Sequence, residues 1–149
     1  MGSRLSMKIA LTGGGGFLGR AICSAWLARG AAPEDLIVIS RSPHPHLQAL
    51  GVSHRAASVT DAAALKDALE GVELVYHLAG MVSRDPRDAE RMRELHIVGT
   101  QTTLEVASFL GIRRLIYASS TGTFGCSRDP LVVPHEDGPD AGEIVEQWA

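Results

Sequence analysis

The stretch Thr12-Gly13-Gly14-Gly15-Gly16-Phe17-Leu18-Gly19 brings together a strand exit, a glycine-paved turn and the start of a helix. Before it, Lys8-Ile9-Ala10-Leu11 is a short apolar run suited to a buried parallel strand. After it, Leu18, Ala21, Ile22 and Ala25 recur at helical spacing. Such a turn demands glycine: the chain reverses tightly, its backbone approaches a ligand without a Cβ in the way, and the new helix packs close to the strand. The unpaired N–H groups and positive dipole end of that helix then face an anion, so the stretch reads as a phosphate cradle. Two registers fit. Gly14, Gly16 and Gly19 satisfy G-x-G-x-x-G, while Gly13, Gly16 and Gly19 satisfy T-G-x-x-G-x-x-G. A tight turn with no ligand is the plainer alternative, and the strand and helix on either side favour a dinucleotide site over it.

Working outward, the 149 residues suit one domain able to bury a sizeable core. With 45% hydrophobic and 21% charged residues the composition is that of an ordinary soluble protein. No apolar run approaches the roughly 18 residues a membrane helix needs, and a cytoplasmic location is expected. A formal net charge of −3 and the isolated Arg113-Arg114 pair supply no basic face for nucleic acid. Cys23 and Cys126 are too few for a disulfide framework. Met1 to Ser6 is polar, lacks a signal-peptide core and reads as a tag-like or disordered N-terminus.

Beyond the glycine turn the first helix should stop at Arg29-Gly30. Leu36-Ile37-Val38-Ile39 is predicted as a second parallel strand buried on both faces, ending at Ser40-Arg41-Ser42-Pro43. A short helix over His44 to Leu50 and a weak strand over Ser53 to Ser58 follow. Asp61 can cap a helix carrying Leu65, Ala68 and Leu69, closed by Gly71. Leu74 to Leu78 is the fourth strand, and about Arg87 to Leu110 the longest helix, with Met92, Leu95, Gly99, Val106 and Leu110 near one face. Arg114 to Ala118 is the fifth strand, leading to Ser119-Ser120. Past Gly125 the chain reads as loop until Glu143 to Trp148. Five alternations of strand and helix argue an α/β fold with a Rossmann-type doubly wound parallel sheet. Its ligands belong beyond the carboxyl ends of the strands.

Taken together, these motifs resemble the amino-terminal half of an extended short-chain dehydrogenase/reductase, the NAD(P)-dependent epimerase/dehydratase family. The resemblance runs through most of residues 7 to 125. It rests on the T-G-x-x-G-F-x-G turn, the aspartate opening the third crossover, His77-Leu78-Ala79-Gly80, Val98-Gly99-Thr100, and Ser119-Ser120-Thr121-Gly122-Thr123-Phe124-Gly125. Arg41-Ser42-Pro43 and the Ser-Ser-x-Gly-Thr run are most similar to the dihydroflavonol-reductase-like branch. The resemblance implies that Gly13, Gly16, Phe17 and Leu18 line a pyrophosphate and that Asp61 meets the adenine amine. It places Leu78, Ala79 and Gly80 beneath the adenosine ribose, Ala118 and Ser119 near the nicotinamide, and Ser120 on the catalytic Ser/Thr position. Asp61 serves equally well as a simple helix cap, and the two roles are compatible.

Coenzyme choice can be read from the end of the second strand. NAD-preferring proteins place an acid there to hold both ribose hydroxyls; this chain has Ser40 and then Arg41. Without a carboxylate to repel a 2′-phosphate, and with a guanidinium to grip it, NADP is expected over NAD. His96 stands where many relatives have Asn, and a hydrogen-bonded structural histidine is preferred here to a proton carrier. The family reaction also needs a Tyr-x-x-x-Lys pair, but neither Tyr76 nor Tyr117 has lysine four residues on, and the only lysines are Lys8 and Lys66. The expectation is therefore a 7–149 cofactor-binding portion that ends before the Tyr-x-x-x-Lys helix and substrate region. It should serve an oxidoreductase or sugar-nucleotide epimerase/dehydratase acting on a sugar nucleotide or a carbonyl or alcohol compound, and bind coenzyme without turnover. The alternatives are a non-catalytic dinucleotide-binding or sensing module and a scaffold subunit forming a homodimer through the long helix. No metal site is expected.

Overall fold

The computed structural model describes residues 7–120. The chain divides after Tyr117; the architecture below is that of the first unit, and Ala118 to Ser120 are described on their own. Five strands form one all-parallel sheet: β1 (Ile9–Thr12), β2 (Leu36–Ser40), β3 (Ser53–Ala56), β4 (Leu74–His77) and β5 (Arg114–Tyr117). Their spatial order is β3-β2-β1-β4-β5. The chain thus builds outward from β1 in one direction, then crosses to its other side. That reversal leaves a gap at the carboxyl ends of β1 and β4, where open α/β sheets take their ligands.

The central strands are mostly apolar up to their carboxyl ends because both faces are covered. Ala10, Ile37, Ile39 and Val75 point to one side and pack with Leu65, Ala68, Leu69 and Val106 from helices α3 (Ala62–Leu69) and α5 (Gly99–Phe109). Ile9, Leu11, Leu36, Val38 and Leu74 point to the other, meeting Cys23, Ile22 and Trp26 of α1 (Phe17–Ala28) and Leu47 of α2 (Pro45–Gln48). Each fully buried aliphatic side chain contributes on the order of 1.5–3 kcal/mol. Asp61 caps α3, its Oδ1 accepting the Ala64 N–H at 3.0 Å. At the other end of α3, the Arg55 guanidinium donates to the carbonyls of Ala68 and Glu70, both at 2.9 Å. Helices α1, α3 and α5 end two residues before Gly30, Gly71 and Gly111 respectively.

The expected long helix is present but not uniform. A 3-10 turn at Pro86–Asp88 leads into α4 (Ala89–Arg93), which passes through a wide turn of π-helix at Glu94–Val98 before α5. The apolar face foreseen from spacing is otherwise kept: Gly99 and Val106 are buried, Met92, Leu95 and Leu110 half-buried, and Thr103 joins them by donating its hydroxyl to the Gly99 carbonyl at 2.7 Å.

The carboxyl ends of β1 and β4 are tied together by polar groups inside the core. Thr12 is fully buried and His77 only 1% exposed. Thr12 Oγ1 accepts the N–H groups of Leu78 and Ala79 at 3.2 and 3.3 Å, so its own proton goes to His77 Nδ1, 2.8 Å away. His77 Nε2–H must then donate to Thr100 Oγ1 at 3.1 Å. Protonating Nδ1 would set a donor against a hydroxyl with no lone pair left. The imidazole therefore stays neutral; burial first, and His96 second, push it down to about 4.

Two outcomes follow from this packing. Because the unfolded chain carries an ordinary histidine near pKa 6.5 and the folded one does not, His77 contributes stability that is fully present above about pH 6.5. That contribution, roughly 3 kcal/mol, is lost as the pH falls towards 4. Urea midpoints measured between pH 7.5 and 4.5 should fall steeply for the wild-type chain and less steeply for His77→Asn. Separately, a Cβ at Gly19 would overlap the backbone of Gly14. Gly19→Ala should therefore cost about 1–3 kcal/mol in the same denaturation assay.

Candidate functional site

A crevice of about 440 Å³ opens over the carboxyl ends of β1 to β4. Its floor is Gly13, Gly15 and Gly16. One wall is Ile39 to Arg41 with His44, another Ala57 to Thr60, and the far side Leu78 to Met81 with Arg91, Glu94 and Leu95 from the long helix. All of these residues lie in the first unit.

The floor explains why glycines stand where they do. Gly13 has φ +68°, and a Cβ there would meet the backbone of Leu78 and Ala79 at 2.9 Å. The turn after β1 and the segment after β4 therefore touch backbone to backbone. A Cβ at Gly14 would strike Val38. Gly16 is the N-cap of α1, a helix with no capping side chain and no acidic residue in its first turn. The N–H donors at its start thus remain for an external anion. Phe17 and Leu18 begin this helix; Phe17 is 87% exposed, so it is the backbone of these residues, and not the side chains, that suits a cradle. The T-G-x-x-G-x-x-G register describes this geometry, with Gly13 as the turn and Gly16 as the cap.

The wall from β2 is basic and polar. Ser40 Oγ donates to the Ser42 carbonyl at 2.7 Å and lies 3.1 Å from His54 Nε2, which also contacts the Ser40 carbonyl at 3.1 Å. Arg41 borders the crevice and is exposed to solvent. The imidazole of His44 lies over Gly15 so closely that a Cβ there would overlap it. Partial burial first, and then the charges of His46, His54 and Arg20, hold its affinity for a proton below that of an ordinary histidine.

At the β3 end the structure shows one of the two roles that the sequence offered for Asp61. Ser58, Val59 and Thr60 face the crevice, whereas the Asp61 carboxylate is turned to the start of α3 as its cap. Ser58 Oγ and Thr60 Oγ1 bond each other at 2.9 Å. The cap role of Asp61 is thus seen directly, and the lining at this strand end is its three predecessors. Beyond β4, Leu78, Ala79 and Gly80 run along the crevice, held by Thr12. His96 fixes the next residue, its Nε2 lying 2.8 Å from the Met81 carbonyl. A Cβ at Gly80 would come within 2.8 Å of that ring. The half-buried His96 is therefore a hydrogen-bonded strut between the π turn and the loop after β4.

Neither tyrosine is placed as a base in this crevice. The Tyr76 hydroxyl accepts the Trp26 indole N–H at 3.3 Å, and the Tyr117 ring stacks on His77 with centroids 5.6 Å apart. Ala118, Ser119 and Ser120 follow β5 and are exposed; the motif continuing from Thr121 and the segment Glu143 to Trp148 lie outside the described residues. Sequence reasoning did not single out Gly15, His44 or Arg91 for this site. The two prolines flanking His44 were the available signal, since they fix its backbone beside the cradle. Among the described residues no cluster of His, Cys, Asp and Glu could hold a metal ion, and no helix is long and apolar enough to cross a membrane.

Comparison with known proteins agrees with this geometry. The family model for the NAD dependent epimerase/dehydratase family matches residues 9–146. A 2-alkyl-3-oxoalkanoate reductase from Stenotrophomonas maltophilia is 33% identical over 114 residues, 76% of this chain and 33% of that protein. A short-chain dehydrogenase/reductase superfamily protein from Agrobacterium tumefaciens, solved with bound NAD, is similar with a TM-score of 0.73 at 29% identity, over 94% of this chain and 44% of its own. The Bordetella bronchiseptica enzyme WbmG, solved with NAD and UDP, gives a TM-score of 0.72 at 28% identity, over 93% of this chain and 44% of its own. The chain thus spans between a third and a half of the length of these proteins. Its parallel sheet, its glycine cradle and these matches together place it in the NAD dependent epimerase/dehydratase family.

Proposed function

We propose that this chain is the NADP(H)-binding portion of a cytoplasmic oxidoreductase or sugar-nucleotide epimerase/dehydratase. The observation that carries the coenzyme choice is the wall at the end of β2, where Ser40 and Arg41 border the crevice and no carboxylate stands. A carboxylate there would repel a 2′-phosphate; the Arg41 guanidinium can accept one through charge-assisted, paired hydrogen bonds. In this reading the amides of Gly13, Gly16, Phe17 and Leu18 hold the diphosphate. Ser58 to Thr60 meet the adenine edge, with Asp61 fixing their turn from behind. Leu78, Ala79 and Gly80 pass beneath the ribose.

A bound nicotinamide coenzyme supplies the hydride donor or acceptor. The chain's share of the chemistry is to bind and orient that coenzyme, with Ala118 and Ser119 beside its reactive ring and Ser120 donating a hydrogen bond to the reacting oxygen of a sugar nucleotide or a carbonyl or alcohol substrate. Proton transfer needs a tyrosine whose phenol is made acidic by a nearby lysine. Tyr76 and Tyr117 have no such partner in sequence, so this chain binds without turning over. Ile97 and Leu104, exposed on the long helix, offer a face through which two copies would pair.

Fluorescence titration tests the coenzyme choice. The wild-type chain should bind NADPH more tightly than NADH at low salt. Arg41→Ala should weaken NADPH by about 10- to 100-fold, the equivalent of a charged hydrogen-bonded contact of roughly 1.5–3 kcal/mol, and leave NADH nearly unchanged. Equal affinity for the two would overturn the assignment. The second test follows absorbance at 340 nm with carbonyl and sugar-nucleotide substrates: the purified chain should show no hydride transfer, and sustained turnover would contradict the lack of a base.

A further inference from the structure

His44 is unused by the function proposed above, yet it borders the crevice on a backbone that is closely held. Pro43 and Pro45 flank it, and its backbone is extended, with φ −116° and ψ 98°, as the residue before a proline prefers. Its carbonyl accepts the N–H groups of Leu47 and Gln48 at 2.9 and 3.1 Å, making it the N-cap of α2. Leu47 is 3% exposed and anchors that turn in the core. The ring is thereby laid across the backbone of Gly15, on the same wall as Arg41.

The groups acting on it are all basic. His46 of α2 stands with its ring centroid 6.1 Å away, and His54 of β3 and Arg20 of α1 act on it electrostatically. Among the described residues of the lining the one carboxylate is Glu94, on the π turn of the long helix. Partial burial, and after it these basic groups, disfavour protonation of the imidazole in the free protein; a doubly charged anion beside it would reverse that preference.

We propose that His44 is a second ligand of the 2′-phosphate beside Arg41, taking up a proton from solvent as NADP(H) binds, so that preference for the phosphorylated coenzyme strengthens as the pH falls through neutrality. This rests on the NADP(H) reading of the crevice. The proton balance has a distinctive sign. The phosphate monoester, with its second pKa near 6, can only release protons on binding a cationic site, whereas an imidazole that becomes charged takes one up. Net uptake therefore reports the histidine.

Calorimetric titration of the full 149-residue chain with NADPH and with NADH, at pH 7.5 in HEPES and in Tris, measures that uptake from the difference in buffer ionisation heat. NADPH should bind with net proton uptake and NADH with none. The NADPH-to-NADH affinity ratio should rise several-fold from pH 8.5 to 6.5. His44→Gln should abolish the uptake, flatten the ratio against pH and weaken NADPH about 5- to 10-fold at pH 6.5, the size of one added charged contact. Gly15→Ala, which crowds the ring from its place, should flatten the ratio in the same way whatever it does to each affinity. NADPH preferred without uptake overturns the role of His44 while leaving the coenzyme reading intact. Uptake persisting in His44→Gln does the same and moves the proton to His46 or His54. Equal binding of the two coenzymes overturns both.

Discussion

The bond between Thr12 and His77 is the constraint on which the site depends. These residues end β1 and β4, the two strands between which the sheet reverses direction, and in a sheet covered on both sides their polar groups have no water to turn to. Thr12 answers this by taking the amides of Leu78 and Ala79 as well, which draws the segment after β4 against Gly13. His77 passes the last hydrogen bond to Thr100 on the long helix. One buried chain of donors and acceptors thus sets the spacing of the floor, one wall and the helix behind it. No buried side-chain polar atom among the described residues is left without a partner, the condition under which such a network rigidifies a core.

Around this fixed centre the crevice is electrically uneven. The uncapped start of α1 presents N–H donors, and the wall at β2 adds Arg41, His44 and the nearby Arg20. On the opposite wall the segment Leu78 to Met81 is held in position by Thr12 and His96, and the long helix sets one cation, Arg91, and one carboxylate, Glu94, behind it. Positive charge is therefore concentrated on the side of β2, while Arg91 and Glu94 on the other side oppose each other in sign. The fold sets where these features stand; which side chains occupy the ends of the strands decides what they hold.

Much of this was legible in the residues themselves. The unbroken apolar run Leu36 to Ile39 and the glycine turn were enough for the sheet and the cradle, since both follow from local sterics and from burial on two faces. Asp61 was legible only in part: its spacing before Leu65 and Ala68 marks a cap, but whether the carboxylate also reaches the crevice depends on the direction of the turn, and it is Ser58 to Thr60 that face inward. The π turn at Glu94–Val98 was hidden, because adding one residue to a turn leaves the apolar face almost unchanged in sequence. Nor could spacing foresee the contact of His44 with Gly15, which arises when a loop from one strand folds over the turn of another.

That contact couples two positions far apart in the chain. The imidazole at 44 rests where a side chain at 15 would stand, so any residue larger than glycine at 15 displaces the ring as well as crowding the turn. One substitution in the cradle is thereby felt on the wall beside it, and the two cannot be redesigned independently.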